Sequence, residues 1–326
     1  MASAITGTPY LSASPTAYSG ANSSLAPSIQ TIWSKEILFQ SMPILRFEQF
    51  AVKKTELGVQ PGLQINFMRY NNLGAASQLV EGVRMQTNAL TASQFSITVA
   101  EQGYAVAVSE LLLNASFDDV MASASRLLGR NMALYLDGQA RDTLLLGTSV
   151  IYGYNNTPGS ITSRSPYDSG APATTRDGLT GAFKFSTALV KDAVETLATK
   201  NVPRLGETYV SFIDPHQSRS LRDNPEFIEV TKYAAPGNFM LGEVGRLYDC
   251  VFIETTQIKQ VLNAGSTAVH QAVFIGDNAF GHAIALPVEL RDGGILDFGR
   301  EHALAWYAIW GLGVITDQAI VIAETN

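Results

Sequence analysis

QPGLQINFMRYNNLGAASQLVEG, residues 60–82, begins as a strand and then stops behaving like one. Leu63, Ile65 and Phe67 fall on one face and Gln64, Asn66 and Met68 on the other, the two-residue period of a half-buried strand. Asn71, Asn72, Gly74, Ala75, Ala76 and Ser77 follow, with no apolar spacing able to anchor a core. Alternation returns only at 94–99, through Phe95, Ile97 and Val99. Paired, the two strands enclose about two dozen residues, against the roughly 2–5 of an ordinary hairpin loop. A polar connection of that length is either functional or ordered by something outside its own domain.

Composition points outward in the same way. The chain has 326 residues and is 46% hydrophobic, enough for one large core or a few smaller ones. Charged residues make up only 16%, against roughly 25% in an ordinary soluble domain. Gly, Ser, Thr, Asn and Ala take their place, the composition of a surface covered by other subunits. Twenty-two Lys and Arg stand against 29 Asp and Glu, a net charge of −7. That balance argues against a protein whose task is to neutralise phosphates, which needs a concentrated positive face. The single cysteine, Cys250 in Cys-Val-Phe-Ile253, reads as a small buried hydrophobe, rules out an intrachain disulfide and suits a reducing compartment. The N-terminal residues lack the charged and apolar regions of a secretory signal. The longest apolar run, 303–315, has 13 residues, short of the ~20 that span a bilayer. A soluble protein made in the cytoplasm, with no membrane partner, is expected.

Around the long loop, the pattern predicts a mixed order of elements. Residues 1 to about 30 are rich in Ser, Ala, Thr, Gly and Pro and form either a disordered tail or an arm that orders on a neighbour. Residues 31–42 read as a short helix ending before Pro43. The strongest helix runs from Asp118 to Leu146, with Ser116 as N-cap, Asp118 and Asp119 in the first turn, and Gly147 as the stop. Its 29 residues would extend ~43 Å at 1.5 Å per residue, more than an ordinary core requires. A second helix covers Ser186 to about Lys200. Strands are expected at 208–213, 250–255 and 273–276, with a short helix or turn in DPHQSRSLRDNPEFIEV, and the aromatic C-terminal region from Leu286 reads as strands. Without regular βα alternation, the fold class is α+β.

The sequence offers little for catalysis. It has no phosphate-binding glycine loop, no dinucleotide fingerprint and no nucleophile elbow. His216, with Asp214 to orient it, has the form of a general base, but an ordinary turn histidine beside Pro215 fits the same residues. Glu301 and His302 border an apolar segment and suit packing or an ion pair. Asp292-Gly-Gly294 with Asp297 resembles a calcium loop only loosely and reads better as a tight turn. No catalytic residue, cofactor or metal is expected.

Gln49 followed by QINFMRYNNLGAASQLVEG, EQGYAVAVSELL at 101–112, the Leu-Gly-Arg-x-x-Ala series in 127–133, YVSFIDPHQSRSLRDNPEF at 209–227, GNFMLGEVGRLYDCVFIET at 237–255 and FGREHALAWYAIWGLGV at 298–314 occur in one order. In that order they resemble the major capsid proteins of tailed double-stranded DNA bacteriophages, the HK-ninety-seven-type fold, and among them those of phage N-four and its relatives. The resemblance implies an N-arm over 1–46, an E-loop with flanking strands over 47–100, and a peripheral domain over 101–182 with a spine helix at about 116–147. It implies an axial domain over 183–285 and a return to the peripheral domain over 286–326. It further implies self-assembly as hexamers and pentamers into an icosahedral shell around double-stranded DNA, held without sequence-specific binding. A scaffold protein, a portal and a decoration protein would be partners. The type member staples its lattice through an E-loop lysine, yet here Lys54 is followed by no lysine until Lys184, so a non-covalent lattice is expected. The short arm favours a separate scaffold.

Candidate contacts between subunits are Trp33, Phe39, Arg69, Tyr70, Glu81 and Arg84. The three charges could meet neighbouring counter-charges or simply keep an extended loop soluble. Trp33 and Phe39 could seat the arm on a neighbour or cap the chain's own core. An encapsulin-like compartment shell, and more remotely a soluble enzyme, remain as other readings.

Overall fold

The computed structural model describes residues 46–55, 64–70, 73–76, 78, 81–82, 84–85, 87–115, 120–155, 172–224 and 243–326. The expected N-arm helix over 31–42, the cap residues Ser116, Asp118 and Asp119, and residues 225–242 lie outside them. In chain order the strands are β1 Val52–Lys54, β2 Gln64–Tyr70, β3 Ala92–Thr98, β4 Ala100–Ser109, β5 Val150–Tyr152, β6 Tyr154–Asn155, β7 Phe183–Lys184 and β8 Tyr209–Ile213. They continue as β9 Glu243–Leu247, β10 Cys250–Glu254, β11 Gln260–Leu262, β12 Ala268–Ile275, β13 Phe280–Leu296, β14 Glu301–Val314 and β15 Ile320–Thr325. The helices are α1 Glu110–Ala115, α2 Val120–Leu144, α3 Thr187–Thr199 and α4 Pro215–Arg222.

Two sheets divide the work. One has four strands in the order β1-β13-β14-β4. On β14, Leu304, Trp306, Ala308 and Trp310 occupy every second position and are buried, the alternation of a sheet with one covered face. Helix α2 covers it, with Ala124, Leu128, Met132 and Leu136 in the same cluster as those four residues. Pro287, which cannot donate to a ladder, falls where the β13–β14 register shifts between Leu286 and Glu289.

The other sheet has the order β5-β15-β12-β8-β10-β9, with β11 added beside β12. All five residues of β8 and all six of β15 are buried, as expected of strands covered on both faces. Helix α3 lies in this core through Ala188, Leu189, Val190, Ala193 and Leu197. Ser186 caps it by accepting the N–H of Leu189, as its position predicts. β15 leaves β13 and β14 and pairs with β12 and β5, because the Ile-Val-Ile-Ala run at 320–323 needs cover on both faces.

Helix α2 links the two cores, which accounts for its length. Its buried stripe continues from Ala124, Leu128, Met132 and Leu136 to Ala140 and Leu144, and the last two pack in the core of the second sheet. The 25 residues extend ~37 Å. Leu128 lies in the first core and Leu144 in the second, so truncating either to Ala costs about 2–5 kcal/mol. At the C-terminus the helix gives way to a turn in which Gly147 N–H donates to Leu144 C=O at 3.2 Å. Glycine is required there by proximity: a Cβ would stand 2.7 Å from Ile320 Cγ2. β4 and α1 carried no sequence expectation. β4 is an edge strand with most side chains exposed, so its apolar alternation is faint.

Candidate inter-subunit surface

The stretch over 60–82 resolves into a hairpin whose two ends differ in chemistry. β2 and β3 pair antiparallel over seven residue pairs, from Gln64↔Thr98 to Tyr70↔Ala92. At the base, the opposed Ile65 and Ile97 are buried with Val99 and Ala283, and Phe95, Ala285 and Ile309 pack against them. The backbone of β14 approaches closely: a Cβ on Gly311 would fall 2.2 Å from the Thr98 carbonyl oxygen, and one on Gly313 would fall 2.8 Å from Ile97 Cγ1. Two glycines in an otherwise bulky strand thus seat the hairpin on the first sheet.

Beyond Tyr70 and before Ala92, every described residue is exposed. Tyr70, Leu73, Met85 and Leu90 each leave more than half of their surface to solvent, from 60% at Met85 to 67% at Leu73. Four large apolar side chains at this end of the hairpin are thus left exposed. Of the expected contact residues, Tyr70, Glu81 and Arg84 are exposed here, with Glu81 beside the turn glycine Gly82 at φ +80°. Arg69 pairs through its backbone with Ser93. Trp33 and Phe39 lie outside the described residues. Sequence reading of the loop stressed its charges and missed Leu73, Met85 and Leu90, although isolated apolar residues without a period are a usable signal.

Beneath the hairpin, α2 is bonded to the sheet by a ladder at four-residue spacing. Trp306 Nε1 donates to Asn131 Oδ1 at 3.1 Å and Trp310 Nε1 to Gln139 Oε1 at 2.8 Å. Tyr135 Oη donates to Gln102 Oε1 at 2.6 Å and accepts from Gln139 Nε2 at 2.8 Å. The two indoles stack with centroids 5.7 Å apart. A groove of about 430 Å³ opens beside this ladder, lined by Thr98, Gln102, Gln139, Asp142, Leu146 and Trp310 among others.

The residues considered for catalysis serve the fold. Asp214 Oδ2 accepts the N–H of His216 at 3.3 Å and caps α4, with Gln217 Oε1 accepting the N–H of Asp214 in return. The same carboxylate lies 3.0 Å from Nδ1 of His270, whose ring stacks on His216 at 5.0 Å. Burial is the main reason that the His270 pKa is lowered. Asp292 Oδ1 accepts the N–H of Gly294 at 2.8 Å, and Asp297 pairs with Arg300 at 2.7 Å, which makes this region a turn. No group of three or more candidate metal ligands occurs among the described residues. Cys250 is fully buried, and burial raises its thiol pKa.

One further exposed feature escaped the sequence reading. The β13–β14 hairpin ends at Asp297 and Phe298, which have φ of 49° and 56°. A non-glycine residue in this left-handed region costs roughly 1–2 kcal/mol. The Phe298 ring is nevertheless exposed in full.

Solved structures share this architecture over nearly the whole chain. The Cyanophage Pam1 capsid asymmetric unit matches with a TM-score of 0.66 at 15% identity, over 88% of this chain and 92% of that one. The head structure of Helicobacter pylori bacteriophage KHP40 matches at 0.64 with 12% identity, over 86% and 91%. The capsid of Ralstonia phage GP4 matches at 0.63 with 18% identity, over 85% and 87%. No protein-family model and no curated protein sequence matches the chain. The fold is α+β and of the HK-ninety-seven type, shared with these phage capsid and head structures over 85–88% of the chain.

Proposed function

We propose that this chain is the major capsid protein of a tailed double-stranded DNA bacteriophage. It assembles as hexamers and pentamers into an icosahedral shell in the host cytoplasm and resides in the virion. The observation that carries the reading is the agreement of 85–88% of the chain with 87–92% of the capsid chains of phages Pam1 and GP4. The exposed apolar end of the β2–β3 hairpin supports it, since a shell subunit needs a projecting element whose partner is another copy. The ordered segments shared with phage N-four capsid proteins support a place among those relatives. The net charge of −7 suits a wall that confines DNA without gripping it.

In this reading residues 1–46 are the N-arm, 47–100 the E-loop with its flanking strands, 101–182 and 286–326 the peripheral domain and 183–285 the axial domain. Trp33, Phe39, Arg69, Tyr70, Glu81 and Arg84 contact neighbouring subunits. A scaffold protein guides assembly, a portal occupies one vertex and a decoration protein binds outside. The protein is not an enzyme. Electron microscopy and analytical ultracentrifugation of the full chain, alone and with the scaffold, test the reading: shells or capsomers are expected. A stable monomer under all these conditions would overturn it.

A further inference from the structure

Strand β4 is an open edge of the helix-covered sheet. It pairs with β14 from Glu301↔Ser109 to Trp310↔Ala100 without a register shift, and with no other described strand. Edge strands are ordinarily guarded by proline, lysine or a bulge, and β4 (AEQGYAVAVS) has none of these. The Glu110 N–H donates to the Arg300 carbonyl at 2.8 Å, which fixes the phase of the ladder. Even-numbered residues of β4 turn their N–H and C=O toward β14. Glu101, Gly103, Ala105 and Ala107 turn theirs outward.

The flank of α2 overhangs this edge. Tyr135 Oη donates to Gln102 Oε1 of β4, and Trp306, opposite Tyr104, donates to Asn131. Leu127 lies one turn before Asn131 in the same row. Although the helix covers the sheet, Leu127 is 67% exposed and Tyr104 56%. A further strand, about 4.8 Å beyond β4, would lie under Leu127 and beside Tyr104. Between Val120 and Leu136 the only charges on α2 are Arg126 and Arg130, both exposed.

We infer that β4 receives an added strand from a separate protein, an extended segment whose α2-facing side chains are apolar and acidic. Pairing to the outward N–H and C=O groups supplies the attachment, and the side chains of one face supply the choice of partner. Charge selects the occupant. Two copies joined edge to edge through β4 would bring Arg126 and Arg130 of both together, whereas carboxylates on an added strand meet them with opposite sign.

Amide exchange of the dissociated full-length subunit tests this, and its outcome does not depend on shell formation. The probe is a synthetic peptide as long as β4 in which Thr alternates with Val or Glu. A second peptide carries Lys in place of Glu. With the acidic peptide at about ten times its dissociation constant, exchange at Gly103, Ala105 and Ala107 should slow about tenfold. Even-numbered amides of β4 should change little. Arg130→Glu should cost that peptide about fivefold in affinity. No slowing with either peptide, or equal slowing with both, would overturn the inference. So would slowing without peptide that rises with protein concentration, which would assign the edge to a second copy.

Ala105→Pro separates backbone pairing from side-chain contact. The outward N–H that it removes has no part in the β14 ladder, so the unfolding midpoint of the subunit should be unchanged. Peptide protection at Gly103 and Ala107 should disappear, and Ala105→Val should keep it. Protection that survives Ala105→Pro would mean that the peptide does not bind as a strand. A variant that unfolds would mean that this N–H faces β14, and either result would overturn the assigned edge.

Discussion

Asp137, fully buried on helix α2, accepts the backbone N–H of Phe47 through Oδ1 at 2.9 Å. The same oxygen accepts the N–H of Arg46 at 3.0 Å. One carboxylate thereby ties residues 46 and 47 to the helix that joins both cores, and Phe47 packs its ring against Phe212 at 4.3 Å. Asp137→Ala leaves two backbone donors without their acceptor, so a loss of about 1–3 kcal/mol is expected in denaturant unfolding of the dissociated subunit. Asp137→Asn keeps an acceptor in place and should lose less.

The pH dependence of this contact has a definite sign. Burial, the largest influence, holds the Asp137 carboxyl above its usual range despite the two backbone donors and the nearby Arg141 and Arg46. A carboxyl with a raised folded pKa binds its proton more readily in the folded state. Its contribution therefore becomes more favourable as pH falls through the folded pKa, and the gain is complete below the unfolded value. Glu48 runs the other way. Burial raises it, but hydrogen bonds from His282 and Lys53 outweigh that and hold it low, so its stabilisation is lost on acidification. Comparing wild type with Asp137→Asn cancels Glu48. The difference should move in favour of wild type between neutral and mildly acidic buffer, and a constant difference would refute this account.

Gly311 should tolerate no side chain. A Cβ there lies 2.2 Å from the Thr98 carbonyl oxygen, and the obstacle is backbone, which cannot rotate away. Gly311→Ala should cost roughly 1–3 kcal/mol through overpacking. The damage should concentrate at the hairpin base, read as faster amide exchange at Ile65 and Ile97 with little change in β8 or β12.

How much of this was legible beforehand depends on how local the cause is. The α2 stripe, the Ser186 cap and the β8, β10 and β12 strands follow from period and capping chemistry within a few residues. The pairing of Ile65 with Ile97 was readable because both strands alternate cleanly. β4 was missed because its partner β14 stabilises it from one side while its own side chains face solvent. The sheet that holds β15 was not legible, because a short buried run does not say which strands cover it. Gly311 and Gly147 gave no sign of their role, since each answers to an atom more than a hundred residues distant. Phe298 looked like one more aromatic residue in a C-terminal segment full of them.

Removing the exposed part of the hairpin should separate folding from assembly. Residues 71–91, replaced by Asn-Gly, allow Tyr70 and Ala92, the last paired residues, to close in a two-residue turn. Ile65, Ile97 and Val99 keep their burial, so circular dichroism and the unfolding midpoint of the subunit should change little. Sedimentation should show that shells no longer form. An unfolded variant would mean that the loop belongs to the core, and normal shells would mean that its apolar side chains have no partner.

In the proposed shell, the chemistry of the loop decides how the lattice is locked. An isopeptide staple needs an amine nucleophile, and between Lys54 and Lys184 the chain has none. The exposed side chains that the loop does offer, Tyr70, Leu73, Met85 and Leu90 with Glu81 and Arg84, can hold a neighbour only non-covalently, by burial, hydrogen bonds and ion pairs. Apolar contacts of this kind, worth about 25 cal/mol per Å², do not survive boiling detergent, whereas an isopeptide bond does. Particles boiled in sodium dodecyl sulfate should therefore run as a single band at the subunit mass of 35.1 kDa, with no ladder of crosslinked oligomers. A ladder that survives reductant would place a covalent bond elsewhere in the chain and remove packing as the sole lock. A single band would leave the loop's grip to burial, hydrogen bonds and ion pairs.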